Sequence, residues 1–75
     1  MLNAKETKEL LRDFVWENYE FWSNELGTDN DKEVWPKVIE DLKWTNHDPY
    51  YPNGEGIDQA AKIEFIAELK KDLGL

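Results

Sequence analysis

From Leu10 to Leu26 the chain reads LLRDFVWENYEFWSNEL, with its apolar positions at helical rather than strand spacing. At about 100° per residue Leu10, Leu11, Phe14, Val15, Tyr19, Phe21, Trp22 and Leu26 fall within one half of the wheel. A helix so loaded on one side needs other helices laid against it. The start is legible at Asn3, an N-cap candidate with Glu6 three residues on, and the stop at Gly27. Helix 1 is therefore predicted over about residues 3–26.

A second periodic stretch follows the turn signal Thr28-Asp29-Asn30-Asp31, whose last residue can act as the next cap. Val34, Trp35, Val38, Ile39 and Leu42 share a face, which predicts helix 2 over about 31–46. Pro36 is tolerable only near a first turn, so regular helix is expected to wait until about residue 35. Helix 3 is predicted over about 58–73, from Asp58 to a stop at Gly74. Its stripe is Ile63, Phe65, Ile66, Leu69 and Leu73. Lys62 and Lys70 share that half-wheel and are expected to lay their methylenes along it while their ammonium groups reach water.

Between helices 2 and 3, HDPYYPNGEGI (47–57) carries two prolines and two glycines, which exclude helix. Asn53-Gly54 is a turn signal, and a short hairpin about it is the alternative to an irregular loop. At least one of Tyr50 and Tyr51 is expected to lie back over the helices, making this an ordered aromatic loop. The pattern as a whole predicts an all-α, three-helix domain over 1–75, with helix 1 as spine and helices 1 and 2 as antiparallel neighbours.

Composition sharpens the packing problem. A chain of 75 residues buries only roughly 60–65% of its unfolded surface. It has no Cys and one His, so disulfides and a His/Cys metal site are closed to it. Ten aromatic residues are the remaining device, and they are expected to form the core around helix 1. The polar start, MLNAKE, argues against a signal peptide, no apolar run approaches a membrane span, and the lack of Cys suits a reducing compartment. The expected location is cytoplasmic.

Charge narrows the partners. The net charge of −8 disfavours direct nucleic-acid binding and anionic membranes, and it favours a basic protein partner. Three short helices invite a helix-turn-helix reading. Lys62, Lys70 and Lys71, however, are outnumbered on helix 3 by Asp58, Glu64, Glu68 and Asp72.

Five candidate features remain. Glu6, Glu9, Asp13, Glu17 and Glu20 lie within about 80° of one another on helix 1, opposite its apolar face. Arg12 is placed to offset only Glu9. Successive carboxylates stand roughly 4.5–6 Å apart along the axis, near the repeat of nucleic-acid phosphates. A solvated face is the plainer explanation of the same residues; the sharper reading is a DNA-mimic inhibitor of the kind phages and mobile elements carry. Trp16 lies about 60° outside the helix 1 apolar half-wheel and Trp44 about 80° off the helix 2 stripe. Both are candidates for protein contact, with coverage by the chain itself (Trp44 by the Tyr50-Tyr51 loop) as the alternative. Asn18 projects onto the apolar face and is expected either to bond a carbonyl of the long loop or to sit at the rim.

Asp29, Asp31, Glu33 and Glu40 match a calcium-loop spacing, but Val34 stands where that loop requires Gly. His47 beside Asp48 is the only imidazole, and no nucleophile has an evident base. The sequence thus predicts a non-enzymatic, cofactor-free acidic module that binds a basic protein. Glu6, Glu9, Asp13, Trp16, Glu17, Glu20 and Trp44 are its contact residues. The alternative is a structural homodimer completed through Trp16, Trp44 or the tyrosine loop.

Overall fold

The computed structural model describes residues 1–51 and 53–75; Pro52, one of the two prolines counted above as helix breakers, lies outside them. Each helix starts and stops where its end groups find local partners. In α1 (Ala4–Leu26) the Asn3 side chain accepts the Glu6 amide at 2.8 Å and the Glu6 carboxylate accepts the Asn3 amide at 3.1 Å. This reciprocal cap satisfies two amides that the helix itself cannot. Gly27 ends α1 at φ 66°, a conformation that any side chain would strain.

Asn30, not Asp31, caps α2 (Asp31–Trp44): its side chain accepts the Lys32 amide at 3.0 Å. Asp31 is instead the first helical residue, and its carboxylate accepts the Tyr19 hydroxyl at 2.6 Å. Pro36 does not delay the helix. Its ring suits helical φ, and the amide it lacks deprives only the carbonyl of exposed Lys32. The helix stops at Trp44, two residues before the expected end, where Thr45 turns extended at ψ 109°. α3 (Gln59–Leu73) is capped by Asp58, which accepts the Ala61 amide at 2.9 Å, and closes at Gly74, φ 72°.

α1 is the spine, but α2 crosses it instead of running antiparallel beside it. Asp31, at the start of α2, meets Tyr19; Asp41, ten residues later, accepts from Asn18 Nδ2 at 3.0 Å and Trp22 Nε1 at 2.7 Å. Both ends of α2 thus touch one turn of α1. The return loop then lets α3 run alongside α1 in the same direction. The Asp58 amide donates to the buried Thr7 hydroxyl at 2.9 Å, and Lys8 pairs with Glu64 at 2.8 Å. The result is a flat molecule of 35 × 27 × 16 Å, its long axis matching the roughly 35 Å of a 23-residue helix.

This crossing changes what the core is made of. The buried cluster is Leu11, Val15, Val34, Trp35, Val38, Leu42 and Ile57, so only one ring lies in it. Phe14, Tyr19, Trp22 and Phe65 pack against it half-buried, while Phe21 is 52% exposed and Tyr51 is exposed. The expectation of an aromatic core is corrected: an α2 that crosses covers a segment of α1, not its whole apolar half. Ile63, assigned above to the α3 stripe, and Leu26 also face outward.

Two polar groups behave differently from expectation. Lys62 does not reach water. It is 5% exposed, and its ammonium donates to the Lys43 and Thr45 carbonyls and to Asn46 Oδ1 at 2.9, 3.1 and 3.0 Å. A cation here closes the C-terminal end of α2, where the helix dipole favours it. Asn18 bonds Asp41, not the long loop, and its Oδ1 is buried with no donor among the described residues.

Among its described residues the loop pairs its two ends without forming strands. His47 and Gly56 form one antiparallel bridge, the Asp48 amide donates to Glu55 O at 2.8 Å and the Ile57 amide to Asn46 O at 3.1 Å. The Leu2 amide donates to Gly56 O at 2.9 Å, tying the N-terminus to this loop. Among the described residues no helix is long and apolar enough to cross a membrane.

Candidate functional site

α1 and α3 lie side by side with an open groove of about 440 Å³ between them. Val15 and Trp35 form its floor, and Phe65, Leu69 and Leu73 its α3 wall; Lys8, Arg12 and Trp16 stand on the α1 side. The groove exists because α2 sends a single large side chain, Trp35, under the two parallel helices. Trp16 Cα projects toward the edge of the α1 face, so its indole leans on Trp35 edge-on, centroids 5.7 Å apart, and leaves 63% of the residue exposed. Tyr19 closes the cluster at 4.8 Å from Trp35, its hydroxyl held by Asp31. That hydrogen bond, with some burial, pushes the Tyr19 phenol up to about 12 from its ordinary 10.0. The hydroxyl therefore stays a donor and fixes the ring that backs Trp16.

The five carboxylates of α1 separate into two kinds. All are exposed. Glu6 is committed to the N-cap, and Glu17 stands close enough to the Tyr50 phenol to act on it. Tyr50 lies edge-on to Phe14 at 6.4 Å, and its phenol is pushed up to about 12 by burial first and then by the nearby Glu17 carboxylate. Glu9, Asp13 and Glu20 keep no such role among the described residues, and on the wheel they follow directly beyond Trp16. The structure therefore brings together Trp16 and the free part of the stripe. It does not bring Trp44 to them. Trp44 is 75% exposed at the far end of α2, uncovered by the tyrosine loop, and its indole N–H donates only to Glu40 at 3.2 Å.

Arg12 forms no ion pair with Glu9; it lines the groove instead. Lys8 is tied to Glu64, a bond that raises the ammonium above its ordinary value and lowers the carboxyl. Glu68 and Asp72 form the α3 lip. None of Lys8, Arg12, Glu68 and Asp72 was singled out in the sequence as a site residue. A signal was nonetheless present, since Lys8 falls inside the apolar half of the α1 wheel and Arg12 only about 20° beyond it, marking an edge that no helix covers.

The calcium spacing has no loop to act through, because Asp31, Glu33 and Glu40 all belong to α2. Among the described residues no three His, Asp or Glu side chains gather as a metal site. No protein-family model, characterised protein or solved structure matches this chain.

Proposed function

We propose that this chain is a small acidic protein-binding module whose α1 face engages a basic surface of another protein. The observation that carries the reading is Trp16, left 63% exposed between the free carboxylates Glu9, Asp13 and Glu20 and an apolar groove. A large ring held rigidly at the boundary of apolar and charged surface supplies contact area at little entropic cost. Flanking carboxylates pair with Lys or Arg, and the indole face adds cation–π attraction. The linear phosphate-mimic form of this reading has less to work with, since Glu6 is held in the N-cap.

The test is affinity capture from the native host with the wild-type chain and with Asp13→Lys/Glu20→Lys. Both sites are exposed and outside the groove, so the variant folds. The wild type should retain a basic protein whose binding weakens at least about tenfold between roughly 50 and 300 mM salt, and the variant should release it. Equal retention by both proteins defeats the electrostatic reading.

A homodimer is the second reading, favoured by the exposure of Phe21, Trp44 and Tyr51 outside the groove. Sedimentation at about 10–100 μM decides it, since a dimer weaker than that range has no structural role at ordinary cellular levels.

A further inference from the structure

We infer that the α1/α3 groove seats the apolar edge of one amphipathic helix, with basic residues flanking that edge, from a partner protein. This rests on the protein-binding reading above and specifies where and how the partner docks. The lining residues span Lys8 to Trp16 on α1 and Phe65 to Leu73 on α3, nine residues on each, or roughly 12 Å of parallel wall. That length takes anchors at i, i+3 or i+4, and i+7 of a helix, which together span about 10.5 Å. The floor of Val15 and Trp35 and the wall of Phe65, Leu69 and Leu73 offer such anchors hydrocarbon and ring surface, with the Trp35 indole N–H as the one polar side-chain group among them.

The lips give the occupant its charge. Along α3, Glu64, Glu68 and Asp72 repeat at four-residue spacing and line one edge. Beyond Trp16 on the other edge come Glu9, Asp13 and Glu20. Of the two cations between the lips, Lys8 is already paired with Glu64. Arg12 is left to oppose a positive charge placed at the centre. The complement is a helix with an apolar edge downward and Lys or Arg on both flanks. A second copy of this chain would bring the same acidic lips, with −8 facing −8, and is the poorer fit.

The probe is a synthetic 18-residue helix of Leu and Lys with the leucines on one face, compared with a peptide of identical composition whose leucines are scattered. Binding is followed by isothermal titration and by the shift in Trp emission, against wild type, Trp16→Ala, Glu68→Lys/Asp72→Lys and Asp13→Lys/Glu20→Lys. Circular dichroism confirms that each variant is folded. The amphipathic helix should bind at least about tenfold more tightly than the scattered peptide, a gap of roughly 1.4 kcal/mol. Trp16→Ala and the α3-lip variant should each weaken it at least about fivefold. Equal binding of the two peptides overturns the groove while leaving the acidic-surface reading intact. So does binding weakened by the Asp13→Lys/Glu20→Lys variant alone. Absence of binding by either peptide also overturns the groove, whereas the host capture experiment decides the broader reading. Concentration-dependent dimerisation abolished by Trp16→Ala would assign the groove to a second copy and overturn the proposal.

Discussion

Lys62 shows how one side chain can decide the end of the helix that precedes its own. It occupies the centre of the buried face of α3, where a leucine would satisfy the hydrophobic pattern, and it carries three acceptors on one ammonium. Burial holds this ammonium below its ordinary value, and the three oxygens keep the group useful only while it is charged. Lys62→Met should therefore cost about 1–3 kcal/mol, because the α2 carbonyls lose their donor while the methylene packing is kept. Urea unfolding measures it; an unchanged midpoint would mean that water replaces the ammonium without loss. Gly54 is decisive for a steric reason. A Cβ there would lie 2.5 Å from the Asp48 carbonyl oxygen, against backbone that is itself bonded to Glu55. Gly54→Ala should cost about 1–3 kcal/mol in thermal unfolding. The phenols of Tyr19 and Tyr50, both raised from 10.0 to about 12, contribute stability that is complete below pH 10. That contribution is lost as pH climbs to about 12, because the unfolded chain gives up these protons first. The raised Lys8 acts in the same direction and the lowered Lys62 in the opposite one. Unfolding midpoints followed from pH 9 to 12 should fall, and Tyr19→Phe should flatten part of the fall.

At the scale of elements, the caps carry the information that local sequence can carry. Asn30→Ala should cost about 1 kcal/mol through the lost bond to the Lys32 amide, whereas Asp29→Ala should be nearly neutral, since the hydrogen bond Asp29 accepts is made by its backbone carbonyl, which alanine keeps. Thermal unfolding of the two variants separates them. Sequence inspection cannot make that distinction: Thr28, Asp29, Asn30 and Asp31 are all competent caps, and the choice falls to Asn30 because Tyr19 claims Asp31. Asn3 with Glu6, Gly27, Asp58 and Gly74 posed no such competition, so both ends of α1 and α3 were legible within a residue. The angle between elements was not legible. A four-residue connection suits antiparallel helices, and only the Asp41 carboxylate, drawing on both Asn18 and Trp22, reveals that α2 crosses. The burial of Lys62 and the exposure of Phe21 and Ile63 follow from that crossing and the course of α3. The helical wheel ranks positions on one helix and is silent on where the others lie. In the same way Trp16 and the free carboxylates could be read from their angles on α1. The α3 lip of the groove, some fifty residues away, could not.

The whole molecule carries its charge unevenly satisfied. Against 17 acidic and 9 basic side chains, the described residues form two side-chain ion pairs, Lys8–Glu64 and Lys43–Glu40, and one pair from the N-terminal amine to Glu55. All three involve exposed partners, and such pairs contribute little once salt is present. The repulsion among the remaining carboxylates acts over a larger distance: three of them stand free along α1 beside Trp16, and Glu68 and Asp72 face them across the groove. In a molecule only 16 Å through its thin axis, opposite faces lie within about two Debye lengths at 0.15 M salt and well within one at 0.01 M. Self-repulsion should thus outweigh the few pairs at low ionic strength. The melting temperature is expected to rise by several degrees between about 10 and 200 mM sodium chloride, with most of the gain below about 100 mM. Neutralising the stripe should imitate salt: Asp13→Asn/Glu20→Gln should melt higher than wild type in low salt and converge with it in high salt. A melting temperature that falls as salt is added would show that the ion pairs, and above all Lys8–Glu64 joining α1 to α3, outweigh the crowding of carboxylates. In that case the acidic lips would not be a standing cost that a cationic partner relieves.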